Sequence, residues 1–403
     1  MYNLTDRSIV LGATGSIAIY KAVDLASKLT QAGARVDVVM TPEATQFVAP
    51  ITFQSVTGRR VYWDMWDAHS EIAEPHVALA RGADLMAIAP ATATMMARLA
   101  LGLAEDMVSL TALATRAPLV VCPAMDSQMY EHAATQAHVE TLRRRGVHLV
   151  GPEEGRLASG QVGRGRFSEV ESIIGSIRYV LGKGGDLAVK KVVVSAGGTQ
   201  ESIDPVRYIG NHSSGKMGFA LAEAARDRGA DVALVTGPTA LPDPYAVTVQ
   251  RVRSAAEMRD AVLANCEGAD ALIMAAAVAD YQPPEALGGK LKRQDAEGLS
   301  LDLVRTPDIL AEVGRPPGLV KVGFAAESHD LLANARAKLE SKGLDLIAAN
   351  DITAEGSGFG ADTNRVTLLG SDGSQEELPL MPKYDVAWRI LDRVAQLMRA
   401  RAK

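Results

Sequence analysis

A chain of 403 residues is long enough for two domains with separate cores. With 47% hydrophobic and 22% charged residues and a net charge of -6, the composition is that of a soluble globular protein and excludes a global attraction to nucleic acid or anionic membranes. Cys122 and Cys266 are too few for a disulfide framework, no basic start precedes an apolar segment, and no apolar run reaches about 18 residues, so a reducing cytoplasmic setting is expected, with neither signal peptide nor membrane span.

Short β-rich runs alternate with helical patterns along the chain. SIVLGAT precedes a helix through IAIYKAVDLASKLTQAG, and RVDVVMT follows as a strand. ADLMAIAPAT and APLVVCPAM are further buried strands, and LRRRGVHLVGP is a helix end leading into another. The three arginines before Gly146 read either as a phosphate site or as a helix C-terminus complementing the dipole. LGKGGDLAVKK breaks the rhythm, and a second series then runs from KVVVSAGG to KGLDLIAANDI. The expectation is an α/β chain of two doubly wound, Rossmann-like domains, residues 1–185 and 186–403, divided near Asp186.

Ligands of such sheets sit beyond the C-terminal strand ends. In GATGS, Gly12 and Gly15 allow close backbone approach to a phosphate, and Thr14 and Ser16 add hydroxyls; a tight turn with no ligand is the alternative. No third glycine follows, and the second strand ends in Thr41 where a dinucleotide site would have an acid, which favours a mononucleotide. A lone histidine such as His76 ordinarily reads as a surface or capping residue.

PHVALARGADLMAIAPATA followed by PAMDSQMY resembles the flavin-containing cysteine decarboxylases over roughly residues 7–180. The family's His-hydrophobic-x-Leu motif matches His76–Leu79, and its Pro-x-Met-Asn-x-x-Met motif matches Pro123–Met129. The resemblance implies a flavodoxin-like domain that binds FMN through the GATGS turn, Thr41, Ala89, Thr92, Ser109 and Met125. It makes His76 the base that assists oxidation of a C-terminal cysteine thiol, after which CO2 can leave. The chain departs from the pattern twice. Asp126 stands where the family has asparagine, and an ionised carboxylate only accepts hydrogen bonds. In the flap GRLASGQVGRGRF, Ser159 replaces the cysteine that would protonate the enethiol.

The second half resembles the phosphopantothenate–cysteine ligases, through SAGGTQESIDPVRYIGNHSSGKMG, AAAVADY, GKLKRQ, RTPDIL, KVGFAAES, AKLESKGLDLIAANDI and FGADTNRVTLL in that order. The resemblance implies attack of a carboxylate on CTP, an acyl-cytidylate, and displacement of CMP by cysteine. Asn211 would hold the acyl-cytidylate and Lys290 would face the phosphates. Met274, Ala275, Ala276, Asp280, Pro307, Asp308, Ile309, Leu310, Phe324, Lys338 and Lys342 would contact CTP, with Asp280 also supporting Mg2+ or Mn2+. Lys338 and Lys342, at i and i+4, otherwise read as a solvated helix face.

The resemblance also implies trimeric contacts in the first half and dimeric contacts in the second, combined in a homo-oligomer of dodecamer size, with small-molecule substrates and no nucleic acid or membrane partner. The alternatives are an active ligase whose flavin domain only releases the enethiol or serves as a scaffold, and a nicotinamide oxidoreductase, against which the missing ribose acid argues.

Overall fold

The structure is a computed structural model describing residues 3–66, 74–291, 300–327, 330–351, 356–358 and 360–401. Lys292, Arg293, Gln294, Ser328, Ile352 and Phe359 of the ligase motifs lie outside the described residues. The chain divides into two compact units, Met1–Gly182 and Lys183–Lys403. The glycines before Asp186 belong with the second. A Cβ at Gly185 would stand 2.3 Å from the Arg228 carbonyl oxygen, and Asp186 pairs with Arg228 at 2.7 Å.

In the first unit β1 (Ser8–Ala13), α1 (Ile19–Gln31), β2 (Arg35–Met40), α2 (Pro50–Thr57) and β3 (Val61–Tyr62) come first. They are followed by α3 (Pro75–Gly82), β4 (Leu85–Ala91), α4 (Ala93–Leu101), α5 (Met107–Ala114) and β5 (Leu119–Pro123). The unit continues through α6 (Ser127–Glu131), α7 (Ala133–Arg144), β6 (His148–Leu149), the hairpin β7 (Glu153–Arg156) and β8 (Val162–Arg166), and α8 (Val170–Gly182). All seven residues of β4 are buried, as a strand covered on both faces requires. Helix α1 buries Ile19, Ala22, Leu25, Ala26 and Leu29 on one stripe. The three arginines fall in the last turn and cap of α7, the position that complements the helix dipole.

The parallel sheet runs β3-β2-β1-β4-β5-β6. This is the Rossmann order, so flavodoxin-like describes the layers but not the strand order, which in flavodoxin is 2-1-3-4-5. The reason is topological. After β3 the chain crosses back to lay β4 against β1, which puts the switch point between β1 and β4.

The second unit repeats the plan. It comprises β9 (Lys191–Ala196), β10 (Gln200–Ser202), β11 (Tyr208–Gly210), α9 (Lys216–Arg226), β12 (Asp231–Thr236), β13 (Thr248–Arg251), α10 (Ala255–Cys266) and β14 (Ala271–Met274). Then come β15 (Tyr281–Gln282), β16 (Val304–Arg305), α11 (Ile309–Val313), β17 (Val320–Glu327), α12 (Leu331–Ser341), β18 (Leu346–Asp351), β19 (Thr363–Gly370), β20 (Gln375–Pro382) and α13 (Lys383–Arg401). The order β13-β12-β9-β14-β17-β18 is parallel, with its switch between β9 and β14, and β19 and β20 add an antiparallel edge. Helix α13 buries Val386, Ile390, Leu391 and Val394 in the core shared with α9 and the sheet.

Candidate active sites at two strand-end clefts

In the first unit, Thr14 ties the switch point together. Its hydroxyl donates to the Pro90 carbonyl at 2.7 Å and accepts from the Thr92 N–H at 3.2 Å, so the loops after β1 and β4 are fixed to each other. Thr92 caps α4 by accepting from the Met95 N–H at 3.2 Å. Several residues expected at the cofactor therefore serve as framework. Thr14 is 1% exposed, and its hydroxyl proton is committed to the Pro90 carbonyl while its oxygen accepts from the Thr92 N–H. Thr41 is buried and accepts from the Ala44 N–H, and Ala89 lies inside β4. Ser109 has its N–H and hydroxyl engaged in the capping box of Asp106. At Gly12 a Cβ would stand 2.8 Å from Val108 Cγ1, so this glycine admits α5 to the sheet. At Gly15 it would stand 2.6 Å from Glu43 Cβ.

Ser16 and Met125, by contrast, line an open cleft of about 550 Å³ that also takes in Lys21, Asp126, Arg156 and Ser159. Helix α1 opens on this side at Ala18 with no side-chain cap. The Ser16 hydroxyl oxygen accepts from the Ala18 N–H at 3.3 Å, which leaves its proton to donate at the helix start, a placement that suits a phosphate, so the residues present fit a flavin mononucleotide.

The flap is the β7–β8 hairpin, and glycine lets it dock. A Cβ at Gly165 would stand 2.2 Å from the Met125 carbonyl oxygen, and one at Gly163 would stand 2.8 Å from Ser127 Cβ. The Met125 N–H donates to the Gly165 carbonyl at 3.1 Å. At the hairpin tip the Ser159 hydroxyl donates to Asp126 Oδ2 at 2.8 Å, while Asp126 Oδ1 caps α6 through the Gln128 N–H at 3.1 Å. His76 sits in the first turn of α3, behind Pro75, and is not among the residues lining this cleft.

In the second unit a cleft of about 990 Å³ opens at the β9/β14 switch. Every residue assigned to the nucleotide lines it except Lys290, and Asn211 lines it too. Its floor is built by hydroxyls that hold the loop after β14. Ser195 accepts from the Ala276 N–H at 3.1 Å, Thr199 accepts from the Ala279 N–H at 2.9 Å, and Thr306 donates to the Ala279 carbonyl at 2.6 Å. Asn211 Nδ2 donates to the carbonyls of Ala277 and Val278, both at 3.3 Å. Lys342 pairs with Asp308, and Lys338 Nζ donates to the Phe324 carbonyl at 2.8 Å. The Asp308 carboxyl is held below its ordinary value; burial opposes this, and the Lys342 ammonium and the Ala311 N–H outweigh it. Asp280 is exposed at the rim, and among the described residues no group of three or more His, Cys, Asp or Glu gathers around it.

Lys290 is exposed on a loop clipped to the turn between β10 and β11. The Leu287 N–H donates to the Ile203 carbonyl at 3.0 Å, the Leu291 N–H donates to Asp204 Oδ2 at 3.1 Å, and Arg207 Nη2 donates to the Leu291 carbonyl at 2.6 Å. Sequence reasoning missed two more cations. Lys216 opens α9 and pairs with Asp362 at 2.7 Å, and Lys383 opens α13 and donates to the carbonyls of Gly358 at 2.9 Å and Ala361 at 2.5 Å. Both line the cleft. Burial, then the neighbouring Lys216, push the Lys383 ammonium down to about 8. Lys216 was legible inside NHSSGKMG, whereas Lys383 follows a strand with no motif around it.

The chain matches the Flavoprotein family over residues 1–182 and the DNA/pantothenate metabolism flavoprotein C-terminal domain over residues 187–398. Those matches define a two-part flavoprotein of pantothenate metabolism. The coenzyme A biosynthesis bifunctional protein CoaBC of Bacillus subtilis (strain 168) is 45% identical over 98% of both chains. That of Escherichia coli (strain K12) is 42% identical over 97% of both. The solved C-terminal domain of a coenzyme A biosynthesis bifunctional protein CoaBC is 39% identical, covering 54% of this chain and 99% of its own at a TM-score of 0.46. The chain belongs to the family of coenzyme A biosynthesis bifunctional proteins.

Proposed function

We propose that the unit Lys183–Lys403 joins cysteine to 4'-phosphopantothenate at the expense of CTP, and that the unit Met1–Gly182 decarboxylates the product to 4'-phosphopantetheine. The observation that carries this reading is the convergence in one cleft of the nucleotide-assigned residues, Lys290 excepted, with Asn211 among them. In the ligase step the substrate carboxylate attacks the α-phosphate of CTP and pyrophosphate leaves. The cysteine amine then attacks the acyl-cytidylate and CMP leaves. Lys338, Lys342, Lys216 and Lys383 supply positive charge to the cleft, and Lys290 adds a further cation from its loop. Asp280 would hold a divalent ion together with nucleotide phosphates and water, a donor set suited to Mg2+. Asn211 keeps the loop carbonyls of Ala277 and Val278 turned to it and so sets the wall against which the activated acyl group lies.

In the first unit, FMN would supply a two-electron acceptor for thiol oxidation, held at the α1 start and Ser16. His76 would take the thiol proton. Its absence from the Asp126–Ser159 cleft of its own chain supports a site shared between copies, and with it trimeric contacts; dimeric ligase contacts and a dodecamer are part of the same proposal, as is a cytoplasmic location. No helix among the described residues is long and apolar enough to cross a membrane.

One observation favours a second reading for this unit. The Ser159 proton is committed to Asp126, so an enethiol could leave before it is protonated and reduced. The ligase assignment is tested with a fragment spanning residues 183–403. Given phosphopantothenate, cysteine and CTP it should release CMP and pyrophosphate in step with phosphopantothenoylcysteine; a folded fragment that binds CTP and releases no CMP refutes it.

A further inference from the structure

Behind the second cleft, a buried lysine joins two of the elements that line it. Lys321 lies in β17 and is 2% exposed. Its Nζ donates to the carbonyls of Leu310 at 2.9 Å, Gly314 at 2.7 Å and Lys342 at 3.1 Å. An ammonium has three protons, and here all three are used. Burial, with the Arg315 guanidinium nearby, lowers its pKa, and the Asp345 and Asp308 carboxylates oppose that shift. Lys321 does not line the cleft.

The three carbonyls belong to two elements. Leu310 is in α11 and Gly314 is its C-cap, while Lys342 ends α12. The same elements present Asp308, Leu310, Lys338 and Lys342 to the cleft, where Asp308 and Lys342 pair. Helix α11 has only five residues, too short to hold itself, and the carbonyls at a helix end need outside donors. The junction is close: Gly343 has φ +57, and a Cβ there would stand 2.3 Å from Arg315 Nε.

We propose that Lys321 is a positioning residue for the nucleotide subsite. It fixes α11 against the end of α12, at the separation that brings Asp308, Lys338 and Lys342 onto one nucleoside triphosphate. This rests on the reading of the cleft as the CTP site. Without the ammonium, three carbonyls would face a dry junction, and the two elements would part to reach water.

The test is Lys321→Met in the full chain, with CTP binding measured by calorimetry and ligase kinetics alongside. The expected result is a KM for CTP raised about tenfold with kcat within about twofold, the pattern of lost uniform binding, and an unchanged KM for phosphopantothenate. A double-mutant cycle separates positioning from general loosening. Lys342→Ala should weaken CTP binding less in the Lys321→Met background than in wild type, because its side chain is already misplaced. Additive losses overturn the inference, as does wild-type affinity in Lys321→Met. Should that variant not fold, Lys321→Gln keeps two amide protons, and a folded Lys321→Gln with unchanged CTP affinity overturns it equally. A wild type that binds no CTP defeats the nucleotide reading itself, whereas equal binding by wild type and variant defeats only the role of Lys321.

Discussion

The Ser159 hydroxyl donates to Asp126 Oδ2 at 2.8 Å, so the two positions at which this chain departs from the decarboxylase motifs are bonded to each other. An ionised aspartate can only accept, and it holds the serine proton within the cleft wall rather than leaving it to the substrate. Asn at position 126 would instead offer its amide to the serine oxygen and leave the hydroxyl proton to the substrate. Asp126→Asn should therefore raise the ratio of saturated thiol to enethiol about tenfold, equivalent to ~1.4 kcal/mol in the proton-transfer barrier. Ser159→Cys should act in the same direction and Ser159→Ala in the opposite one. Mass spectrometry resolves the two products by two hydrogens. Equal ratios and rates in wild type and Ser159→Ala would make the serine a bystander.

The flap offers a second test. Gly165 admits the Met125 carbonyl to a distance no side chain allows, and a Cβ there would sit 2.2 Å from that oxygen. Gly165→Ala should undock the hairpin at a cost of about 1–3 kcal/mol. Decarboxylation should fall while CMP release by the ligase stays at the wild-type rate. A parallel fall in both activities would show that the substitution acts on the whole chain and not on the flap.

Much of this was legible because apolar runs and glycine turns are local signals. GATGS and APAT could be placed at strand ends from sequence, and the structure puts both at the β1/β4 switch. What each residue does there was less legible. Thr14 read as a phosphate hydroxyl, but its proton goes to the Pro90 carbonyl and its oxygen accepts from the Thr92 N–H, partners 76 and 78 positions away in the chain. The antiparallel β19–β20 edge escaped a reading tuned to βαβ units, although Asp372–Gly373 marks its turn. The Ser159–Asp126 bond joins residues 33 positions apart, and Lys321 looks like any strand residue until the carbonyls around it are known.

Asn211 should be intolerant of a charge. Asn211→Asp removes both Nδ2 donations and sets a carboxylate against the carbonyls of Ala277 and Val278. The expected loss is about 1–3 kcal/mol in formation of the cysteine adduct and the CMP release that accompanies it, with pyrophosphate release less affected because activation precedes it. Quenched-flow measurement of acyl-cytidylate would show it persisting or hydrolysing; loss of pyrophosphate release to the same degree would contradict this role.

Asp204 should make the second unit acid-sensitive. Burial alone would raise its pKa, but the Val206 N–H, the Arg207 guanidinium and the Leu291 N–H outweigh it and hold the carboxyl well below the usual range. Its folded pKa lies below the unfolded value of about 3.9, so its contribution is complete above about pH 4 and is lost as pH falls towards the folded value. Asp204→Asn should be less stable than wild type at pH 7, and the gap should narrow below about pH 4. The variant should also slow CMP release, since Asp204 anchors the loop of Lys290. Denaturation curves that stay parallel from pH 7 to pH 3 would rule out this linkage.

The most direct measurement is a single incubation of the purified chain with 4'-phosphopantothenate, cysteine carrying a labelled carboxyl carbon, and CTP, followed by product masses and trapped label. The expected outcome is CMP and pyrophosphate from the Lys183–Lys403 unit, labelled CO2 from the Met1–Gly182 unit, and 4'-phosphopantetheine as the final thiol. Enethiol as the only decarboxylated product would replace the full reaction with its oxidative half. CMP release with no labelled CO2, from protein that has retained its flavin, would contradict the assignment of the first unit as a decarboxylase.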